Sequence, residues 1–314
     1  MRLNRLDLNL LVALDALLTE RSITVAAERI FLSQPATSGA LARLRDYFDD
    51  ALLVRVGSKM QPTPLGESLA EPVHNILMQI QATVERGLEF EPANCERKFK
   101  FYVGDYAATI FMSHLAQRVR KEAPGIKMEF FMPTNKPGEE LERGHIDFML
   151  LPEVTLHEDH PVRSLFTEQF VCLACQQNDA VNEQMSVETF MELGHVSVQF
   201  GSHRVPGQDQ LLLKSEHGLA PRIEIITSTF NSIPQFLVGT PRIATVYSHL
   251  AEHWKKFLPL KTVPVPVPLP NVAWGLQWHK YRDLDPALKW LKEQAVITAQ
   301  SHFGDTISNT TKAN

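Results

Sequence analysis

The sequence predicts an α/β protein in three consecutive parts: a small helical module with a β-hairpin, one long helix, and a larger region of alternating strands and helices. Three patterns predict this order. Apolar residues recur at helical spacing through the first fifty positions, an apolar seam runs from Leu65 to Leu88, and β-rich runs separated by helical segments begin at Lys98. A chain of 314 residues exceeds one ordinary core, so two or three domains are expected.

The composition is that of a globular protein, with 44% hydrophobic residues, 21% charged residues and a formal net charge of -5. This charge excludes a chain coated in basic residues, so any nucleic-acid contact has to be a local patch. No stretch reaches the roughly 18 apolar residues of a membrane helix. Arginines precede an apolar stretch at the amino terminus, but Asp7, Asn9 and Asp15 interrupt it, which does not favour an export signal. We therefore expect a cytoplasmic protein without a membrane partner.

Three short helices are predicted in the first fifty residues. Ser22 can cap the second helix, Ser33 can cap the third, and Pro35 lies in the first turn of the third, where its missing N–H costs nothing. The inward-facing residues are Leu10, Leu11, Leu14, Leu17 and Leu18 in the first helix, Ile23, Ala26, Ala27 and Ile30 in the second, and Thr37, Leu41, Leu44 and Phe48 in the third. With only Phe31 and Leu32 between the last two, this order is typical of a helix-turn-helix.

The third helix begins with small and polar side chains, which suit the major groove of DNA. Gln34 can pair with adenine through both atoms of its amide, and Ser38 can reach a base or a phosphate. Arg43 and Arg45 lie farther along, where phosphates are the natural partners. Gly39 interrupts the helix at a cost of about 1 kcal/mol, and close approach either to DNA or to the second helix would explain it.

A small β-wing follows the third helix. Residues 52–56 are β-rich, Gly57 and Ser58 can turn, and residues 59–63 can return, which places Arg55 and Lys59 near the phosphates of an adjacent groove. The predicted DNA-contacting residues are Ser33, Gln34, Pro35, Ala36, Thr37, Ser38, Arg43, Arg45, Arg55 and Lys59. The alternative is a small helical domain with a solvated hairpin. Residues 1–60 hold eight Lys and Arg against seven Asp and Glu, so DNA affinity has to depend on a few placed charges and on pairing with a second chain.

A long helix is predicted to connect the module to the rest of the chain. Thr63 and Pro64 form a helix start, and apolar residues then recur every three or four positions for about three heptads. The seam consists of Leu65, Leu69, Val73, Ile76, Ile80, Val84 and Leu88. It predicts half of a two-stranded coiled coil, with Pro72 kinking or locally opening the helix. The alternative is a helix packed on its own carboxy-terminal domain.

From Lys98 the pattern changes to strands that alternate with helices. The strands "KFKFYVG", "IKMEFFM" and "IDFMLL" form one set, and "QFVCLAC", "HVSVQF", "RIEIIT" and "RIATVY" form a second set. The chain returns through "VAWGLQWH" and closes with a helix around "PALKWLKEQ". This βαβ rhythm predicts mainly parallel sheets.

The stretch "LDLNLLVALDALLTERSITVAAERIFLSQPATSGALARLRDYFDDALLVRVG" resembles the amino-terminal domain of LysR-type transcriptional regulators, most specifically in its "LSQPA" and "LARLR" segments. The similarity continues through "PTPLGESLAEPV" to "WHKYRDLDPALKWL". Three further stretches, "FEPANCERKFKFYVGDYAATIFM", "GHIDFMLLPE" and "HVSVQFG", resemble the nodulation and aromatic-catabolism activators, the NodD/NahR-like branch of that family. The resemblance implies an activator that binds double-stranded promoter DNA as a homodimer or homotetramer, responds to a small molecule and acts on RNA polymerase.

The resemblance also implies a domain plan. It places a winged helix-turn-helix at residues 1–63, a linker and dimerisation helix at 64–90, a hinge at 91–97, and a two-lobed, periplasmic-binding-protein-like (type II) effector domain at 98–314. Lobe I covers about 98–165 and 269–300, and lobe II covers about 166–268. The effector is expected in the cleft between the lobes, at the carboxyl ends of strands.

Ten residues are placed around that cleft by the resemblance: Gly104, Asp105, Thr109, Gln169, Phe170, Phe200, Thr229, Phe230, Asn231 and Gln277. As a set they describe an aromatic pocket with hydrogen-bonding groups and without Arg or Lys. Asp105 would repel a carboxylate and accept a hydrogen bond from a hydroxyl group. We therefore expect a phenolic or other neutral aromatic inducer.

Other functions are less favoured by the sequence. "CLAC" has the spacing of a redox or metal pair, but its flanks predict a buried strand, and "HEDH" at residues 157–160 lacks the helical H-E-x-x-H spacing of a zinc site. No cofactor, metal site or catalytic motif is expected, so the protein is not expected to be an enzyme. The proline run in "TVPVPVPLPN" is most simply an extended connection. A periplasmic-type solute-binding protein is the alternative to a regulator, although the helix-turn-helix argues against it.

Overall fold

A computed structural model describes residues 6–57, 59–84, 90–133, 137–200 and 205–304. The chain divides into two units. The first contains residues 1–90 together with 138–146 and 279–289, and the second contains residues 91–137, 147–278 and 290–314.

The predicted helices and strands occur in the predicted order, and three further strands, Val162–Glu168, Val205–Pro206 and Leu260–Pro264, were not predicted. The helices are α1 (Asn9–Glu20), α2 (Ile23–Arg29), α3 (Gln34–Phe48), α4 (Pro64–Val84), α5 (Asp105–Ala107), α6 (Ser113–Glu122), α7 (Pro137–Glu142), α8 (Val187–Glu192), α9 (Gln208–His217), α10 (Ile233–Leu237), α11 (Ser248–Lys255) and α12 (Pro286–Phe303). The strands are β1 (Leu53–Val56), β2 (Lys59–Pro62), β3 (Lys98–Val103), β4 (Lys127–Phe131), β5 (Phe148–Pro152), β6 (Val162–Glu168), β7 (Phe170–Cys175), β8 (His195–Phe200), β9 (Val205–Pro206), β10 (Ile223–Thr227), β11 (Ile243–Tyr247), β12 (Leu260–Pro264) and β13 (Val272–Trp278).

The first unit opens with the predicted helix-turn-helix. Both predicted caps are present, because the Ser22 hydroxyl accepts from the Val25 N–H at 3.4 Å and the Ser33 hydroxyl accepts from the Ala36 N–H at 3.3 Å. The core of the three helices is formed by the leucines of the predicted stripes, among them Leu14, Leu17, Leu41 and Leu44. Burial of these stripes fixes the face that α3 leaves exposed.

The hairpin of β1 and β2 is antiparallel and pairs Leu53 with Pro62 and Val56 with Lys59. Gly57 has a positive φ of 64°, which a tight turn requires, while the predicted turn partner Ser58 lies outside the described residues. At the other end of the hairpin, the Thr63 hydroxyl donates to the Asp50 carboxylate at 2.6 Å, and this carboxylate also accepts from the Leu52 N–H. These bonds hold the pKa of Asp50 below its usual value and connect the end of α3 to the start of α4.

The predicted seam of α4 is divided between two environments. Leu65, Leu69 and Val73 pack against the core of the helix-turn-helix, whereas Ile76, Ile80 and Val84 are exposed, as is Pro72 within the continuous helix. The expectation that the whole seam faces a partner chain is therefore wrong for its first half, because the first turns of α4 complete the core of their own module. Leu88 lies outside the described residues.

Two later segments belong to the first unit, although the predicted domain plan placed all of residues 98–314 in the effector domain. The ring of His74 in α4 lies so close to Gly144 that a side chain at that glycine would collide with it. His74 Nδ1 lies 2.8 Å from the Asp15 carboxylate, which also pairs with Arg29 at 3.0 Å. The same helix contacts the 3₁₀ turn Lys280–Arg282. Helix α4 is thus a packing centre of this unit as well as a connector.

The second unit contains a five-stranded sheet and a six-stranded sheet. The first has the order β4-β3-β5-β13-β6 and the second has the order β10-β8-β11-β7-β12, with β9 added beside β8. In the first sheet β3 is parallel to β4 and β5, and in the second sheet β8 is parallel to β10 and β11 and antiparallel to the short β9. Strand β13 of the first sheet and strand β7 of the second are antiparallel to both of their neighbours. The expected mainly parallel sheets are therefore mixed, because β13 in the first sheet and β7 in the second run opposite to the strands on either side of them.

The chain passes from the first sheet to the second at Gln169, between β6 and β7. It returns through residues 265–271, which contain most of the proline run. Cys172 and Cys175 of "CLAC" are both buried in β7, where the Cys175 thiol donates to Gln177 Oε1 and burial raises the pKa of Cys172 to about 12. Such a buried thiol is a poor nucleophile and a poor metal ligand. Within the described residues, no helix is long and apolar enough to cross a membrane.

Candidate DNA-binding surface and effector site

The start of α3 presents the small polar surface that the sequence predicts. Residues 31–36 are all exposed, and Ser38, Gly39, Ala42 and Arg43 follow on the open side of the helix. Gln34 and Ser38 are four positions apart, so they lie on the same face one turn from each other. These two side chains are available to a base edge or a phosphate.

Thr37 is an exception among the predicted DNA-contacting residues. It is completely buried, and its hydroxyl donates to the backbone oxygen of Ser33 at 3.2 Å. The prediction that Thr37 contacts DNA is therefore wrong, because its inward position in the helical period decides its role.

Arg45 is corrected for a similar reason. Its guanidinium donates to the backbone oxygens of Ala51 and Leu53, each at 2.8 Å, and so holds the first residues of the wing against α3. Arg43, by contrast, is exposed, and its guanidinium lies 3.9 Å from the exposed Asp7 carboxylate. Of the two arginines, the structure leaves Arg43 available for a phosphate.

The wing carries the other two predicted phosphate contacts. Arg55 and Lys59 are both exposed, and Arg55 also donates to the Gly57 carbonyl at 3.2 Å within the turn. Gly39 has open space where a side chain would be, so packing against α2 does not require a glycine there. Of the two explanations for Gly39, close approach of an outside partner is the one left.

The predicted effector residues of the second unit meet at the start of α5. The Asp105 carboxylate accepts from the Asn231 backbone N–H at 2.8 Å, and the Asn231 amide donates to the Thr109 hydroxyl at 2.9 Å. Asp105 and Thr109 follow the first sheet and Asn231 follows the second, so these bonds connect the two lobes. Burial raises the pKa of Asp105, and the N–H bonds oppose that change. The second carboxylate oxygen of Asp105 is buried without a partner among the described residues.

An aromatic cluster lies beside Asp105. The Tyr106 ring is 6.1 Å from Phe230, 4.6 Å from Tyr247 and 4.7 Å from Trp274 between centroids. The predicted residues Phe170 and Phe200 join it at 5.0 Å from Tyr247 and 5.9 Å from Phe230. The sequence singled out three of these rings, while Tyr106, Tyr247 and Trp274 were missed. The Trp274 indole N–H is buried without a described partner, although a buried indole usually donates a hydrogen bond.

A buried carboxylate is hydrogen-bonded to Tyr106 of this cluster. Glu168, the last residue of β6, is fully buried and accepts from the Tyr106 hydroxyl and, at 2.9 Å, from the Ser248 hydroxyl. His249 Nδ1 lies 2.8 Å from the same carboxylate, and this contact raises the pKa of His249. Because Glu168 directly precedes the crossover at Gln169 and bonds to groups from both lobes, it holds the two lobes together at that crossover. A glutamate beside a strand end was its only sequence signal.

Asp209, at the start of α9, is a second buried acid that sequence reasoning missed. Burial raises its pKa to about 7, partly offset by the N–H of Gln210. Burial raises the pKa of Tyr247, a member of the aromatic cluster, and the negative charge of Asp209 adds to that increase. Ser197 on β8 and Thr245 on β11 have hydroxyls that are buried without a described partner. This lobe therefore holds three buried polar side chains that the sequence analysis did not single out.

The remaining predicted effector residues differ in their suitability. Gly104 has open space around it, and Gln169 is exposed at the crossover. The Thr229 hydroxyl donates to Ser232 in the adjacent turn, which is a local role. Gln277 is fully buried. Its side-chain oxygen accepts from the His157 backbone N–H, and its side-chain N–H₂ group donates to the backbone carbonyls of His157 and His160. The prediction that Gln277 contacts the effector is wrong, since backbone groups occupy both ends of its amide.

Two family descriptions match the parts of the chain just described. The bacterial regulatory helix-turn-helix of the lysR family matches residues 8–67, and the LysR substrate binding domain matches residues 96–299. The chain belongs to the LysR family of transcriptional regulators. This DNA-binding family consists of regulators rather than enzymes, and the match does not favour a periplasmic-type solute-binding protein.

Relatives of this LysR-type regulator include nodulation proteins. Nodulation protein D 1 of Mesorhizobium japonicum is 42% identical over 294 residues, which are 93% of each chain, and Nodulation protein D 2 of Rhizobium tropici is 42% identical over 293 residues, again 93% of each. A probable transcriptional regulator from Pseudomonas aeruginosa is similar in structure, with 29% identity and a TM-score of 0.64 over 93% of this chain and 97% of that one.

Full-length CbnR in complex with its target DNA has a TM-score of 0.56 over 93% of this LysR-type chain and 100% of CbnR. At 14% identity, that likeness concerns the fold alone.

Proposed function

We propose that this regulator binds promoter DNA as an oligomer and activates transcription when a small phenolic compound binds between the lobes of its second unit. Activation at a promoter implies that the DNA-bound oligomer contacts RNA polymerase in the cytoplasm. The observation that carries the choice of ligand is the aromatic cluster around Tyr106, together with the partnerless polar atoms of Asp105 and Trp274.

The ring cluster supports an aromatic ligand because flat rings stack on or against other rings at small cost in conformational entropy. Asp105 offers an acceptor oxygen and Trp274 offers an N–H donor, which together suit a hydroxyl group. The described side chains bonded to Asp105 and Glu168 include no Arg or Lys, and the one group there that can carry a positive charge, His249, is paired with Glu168. A ligand carboxylate would therefore be desolvated next to Asp105 without compensation.

Asp209 supports the same choice from the second lobe. With its pKa raised to about 7, a substantial part of its population is protonated at neutral pH and can donate to a ligand oxygen. Ser197 and Thr245 supply further hydroxyls, so a polyhydroxylated aromatic compound fits better than an apolar one.

Calorimetry with the full chain tests the ligand class. Simple phenols and polyphenols are compared with the benzoates of the same ring substitution at constant pH. We expect binding of the hydroxylated series to be at least tenfold tighter, because one uncompensated charge costs more than 1.4 kcal/mol. Tight binding of benzoates and none of phenols would contradict the proposal.

The exposed half of α4 supports the oligomer. Ile76, Ile80 and Val84 recur every four residues and are 46%, 44% and 71% exposed, which makes an apolar stripe on one face of a single chain. A second copy of the helix would cover this stripe and place two recognition helices on one DNA duplex.

A mobility-shift assay with a promoter fragment tests the DNA-binding half of the proposal. The fragment is taken from upstream of the gene for this chain and compared with an unrelated duplex of equal length. We expect a specific complex whose affinity falls steeply with salt, since phosphate contacts release counterions. Equal affinity for both duplexes at every salt concentration would contradict specific promoter binding.

A further inference from the structure

The turn between α2 and α3 has an unusual residue at its tightest point. The Leu32 N–H donates to the Ala27 carbonyl at 3.0 Å and the Phe31 N–H donates to the Glu28 carbonyl at 3.3 Å, while Phe31 has a positive φ of 55°. This is the Schellman arrangement of a helix end, and its left-handed position is usually glycine because a Cβ is unfavourable there. The backbone of the turn therefore does not explain the choice of phenylalanine.

The Phe31 side chain is also unfavourable in the isolated chain. Its exposed fraction is 94%, the highest of the large hydrophobic residues in the described segments. A phenylalanine ring in water contributes nothing to the core, and its backbone position adds strain. Two unfavourable features at one residue indicate a role in a complex, since such local conflicts are expected at functional positions.

The position of Phe31 indicates the kind of complex in which its ring would be covered. It lies two residues before Ser33, the cap of the recognition helix, and opens the exposed segment 31–36 that leads to Gln34. The ring is thus continuous with the DNA-binding surface of a helix-turn-helix. In the major groove, the apolar group on a base edge is the thymine C5-methyl, and phenylalanine is one of the side chains that contact it.

We propose that Phe31 is a specificity-determining residue of this regulator, whose ring packs on a thymine methyl at the edge of the groove entered by α3. The small first turn of α3 allows the helix to approach the bases, and the large ring just before it adds an apolar contact to the polar reading by Gln34. The recognition surface then begins at the turn and not at the helix.

Phe31→Gly separates this role from a structural one. Glycine tolerates the positive φ, so the thermal unfolding temperature is expected to stay the same or rise. DNA affinity is expected to fall about tenfold, the effect of losing one buried apolar contact of this size. The matched control is Phe257→Ala, which removes another highly exposed ring, here 73% exposed, from the second unit and should change neither quantity.

A methyl-deletion scan identifies the contacted group. A duplex selected by the full chain from a random library is resynthesised with deoxyuridine in place of each thymidine in turn, which removes one methyl group at a time. We expect one position per half-site at which the wild-type chain loses about tenfold in affinity while the Phe31→Gly chain loses nothing further. Gln34→Ala serves as a second control and should retain the full methyl effect.

Each other result overturns the proposal. A lower unfolding temperature for Phe31→Gly would show that the ring has a structural role. A changed oligomeric state at unchanged DNA affinity per dimer would show that the ring contacts a second copy of the chain. Equal methyl effects in the wild-type and Phe31→Gly chains would exclude a thymine contact.

Discussion

Arg43 and Arg45 lie two positions apart on α3 and have different surroundings. Arg45→Ala is expected to lower the free energy of unfolding by about 1–3 kcal/mol, because two wing carbonyls lose a charged donor. Arg43→Ala is expected to leave that free energy within about 0.5 kcal/mol of the wild type. It is expected to reduce DNA affinity and to lower the slope of log affinity against log salt concentration by about one, because one phosphate contact is lost. Denaturant titrations and fluorescence anisotropy at several salt concentrations measure these effects. Equal destabilisation by both changes would contradict the assignment.

At the scale of single residues, the periodicity of the sequence predicted which side chains are buried better than it predicted their hydrogen-bond partners. Thr37 belongs to the inward stripe, and the structure buries it there. The partner of Arg45 depends on where residues 51–53 cross the helix, which the local sequence does not specify. Gln277 alternates with apolar neighbours in a strand, and only the fold brings the loop at His157 to its amide. Residues whose partners are distant in sequence are therefore the ones that sequence reasoning misassigned.

The raised pKa of Asp209 predicts a specific pH dependence. In the unfolded chain this carboxyl titrates near 4, whereas in the folded chain it titrates at about 7. The folded state binds the extra proton between these values, so this residue makes stability fall as the pH rises from about 4 to 7. Asp209→Asn should remove that contribution, and the stability of the variant relative to wild type should increase across the same window. Unfolding titrations at pH 5, 6, 7 and 8 measure it, and parallel curves would contradict the prediction.

At the scale of elements, α4 has two functions along its length. Its first turns complete the core of the helix-turn-helix, and its later turns present Ile76, Ile80 and Val84 to solvent. Ile80→Asp is expected to dissociate the oligomer and weaken DNA binding at least tenfold without unfolding the monomer, because it places a charge in an apolar interface. Sedimentation velocity and anisotropy measure the two effects. Val154→Asp, at another exposed valine, is the matched control, and a stable dimer in Ile80→Asp would contradict this role of the stripe.

Most elements were predictable because their periodicity is strong and their ends carry recognisable caps. Strands β6 and β12 were missed for physical reasons. The first half of β6, "VRS", is exposed at a sheet edge and lacks an apolar alternation, and β12 is a five-residue edge strand that ends at the first proline of a proline run. Edge strands bury little, so their sequences carry little hydrophobic signal. The sheets are mixed for a different reason, because β13 and β7 run antiparallel to their neighbours, and a strand's hydrophobic pattern does not specify its direction.

At the scale of the whole molecule, the proposed ligand site and the proposed DNA-binding surface consist of different residues in different units. In the second unit, Asp105 connects the lobes through the Asn231 N–H, while Glu168 connects the groups around the crossover. A ligand that competes for the Asp105 carboxylate changes this connection, and only a ligand with different affinity for two arrangements of the lobes can shift the balance between them. The sequence could predict three rings of the cluster and the start of α5, but the buried acids Glu168 and Asp209 become significant only through their partners.

This separation predicts opposite behaviour for two variants. Gln34→Ala should lower affinity for the selected duplex about tenfold or more and leave the calorimetric affinity for the best phenolic ligand unchanged, because the amide lies on the exposed face of α3. Asp105→Ala should leave DNA affinity in the absence of ligand within about twofold and weaken ligand binding about tenfold, because it removes the partnerless acceptor oxygen. Anisotropy and calorimetry on each full-length variant measure all four values. Since the two residues belong to different units, a variant that loses both activities while keeping its unfolding temperature would show that the two sites are not independent.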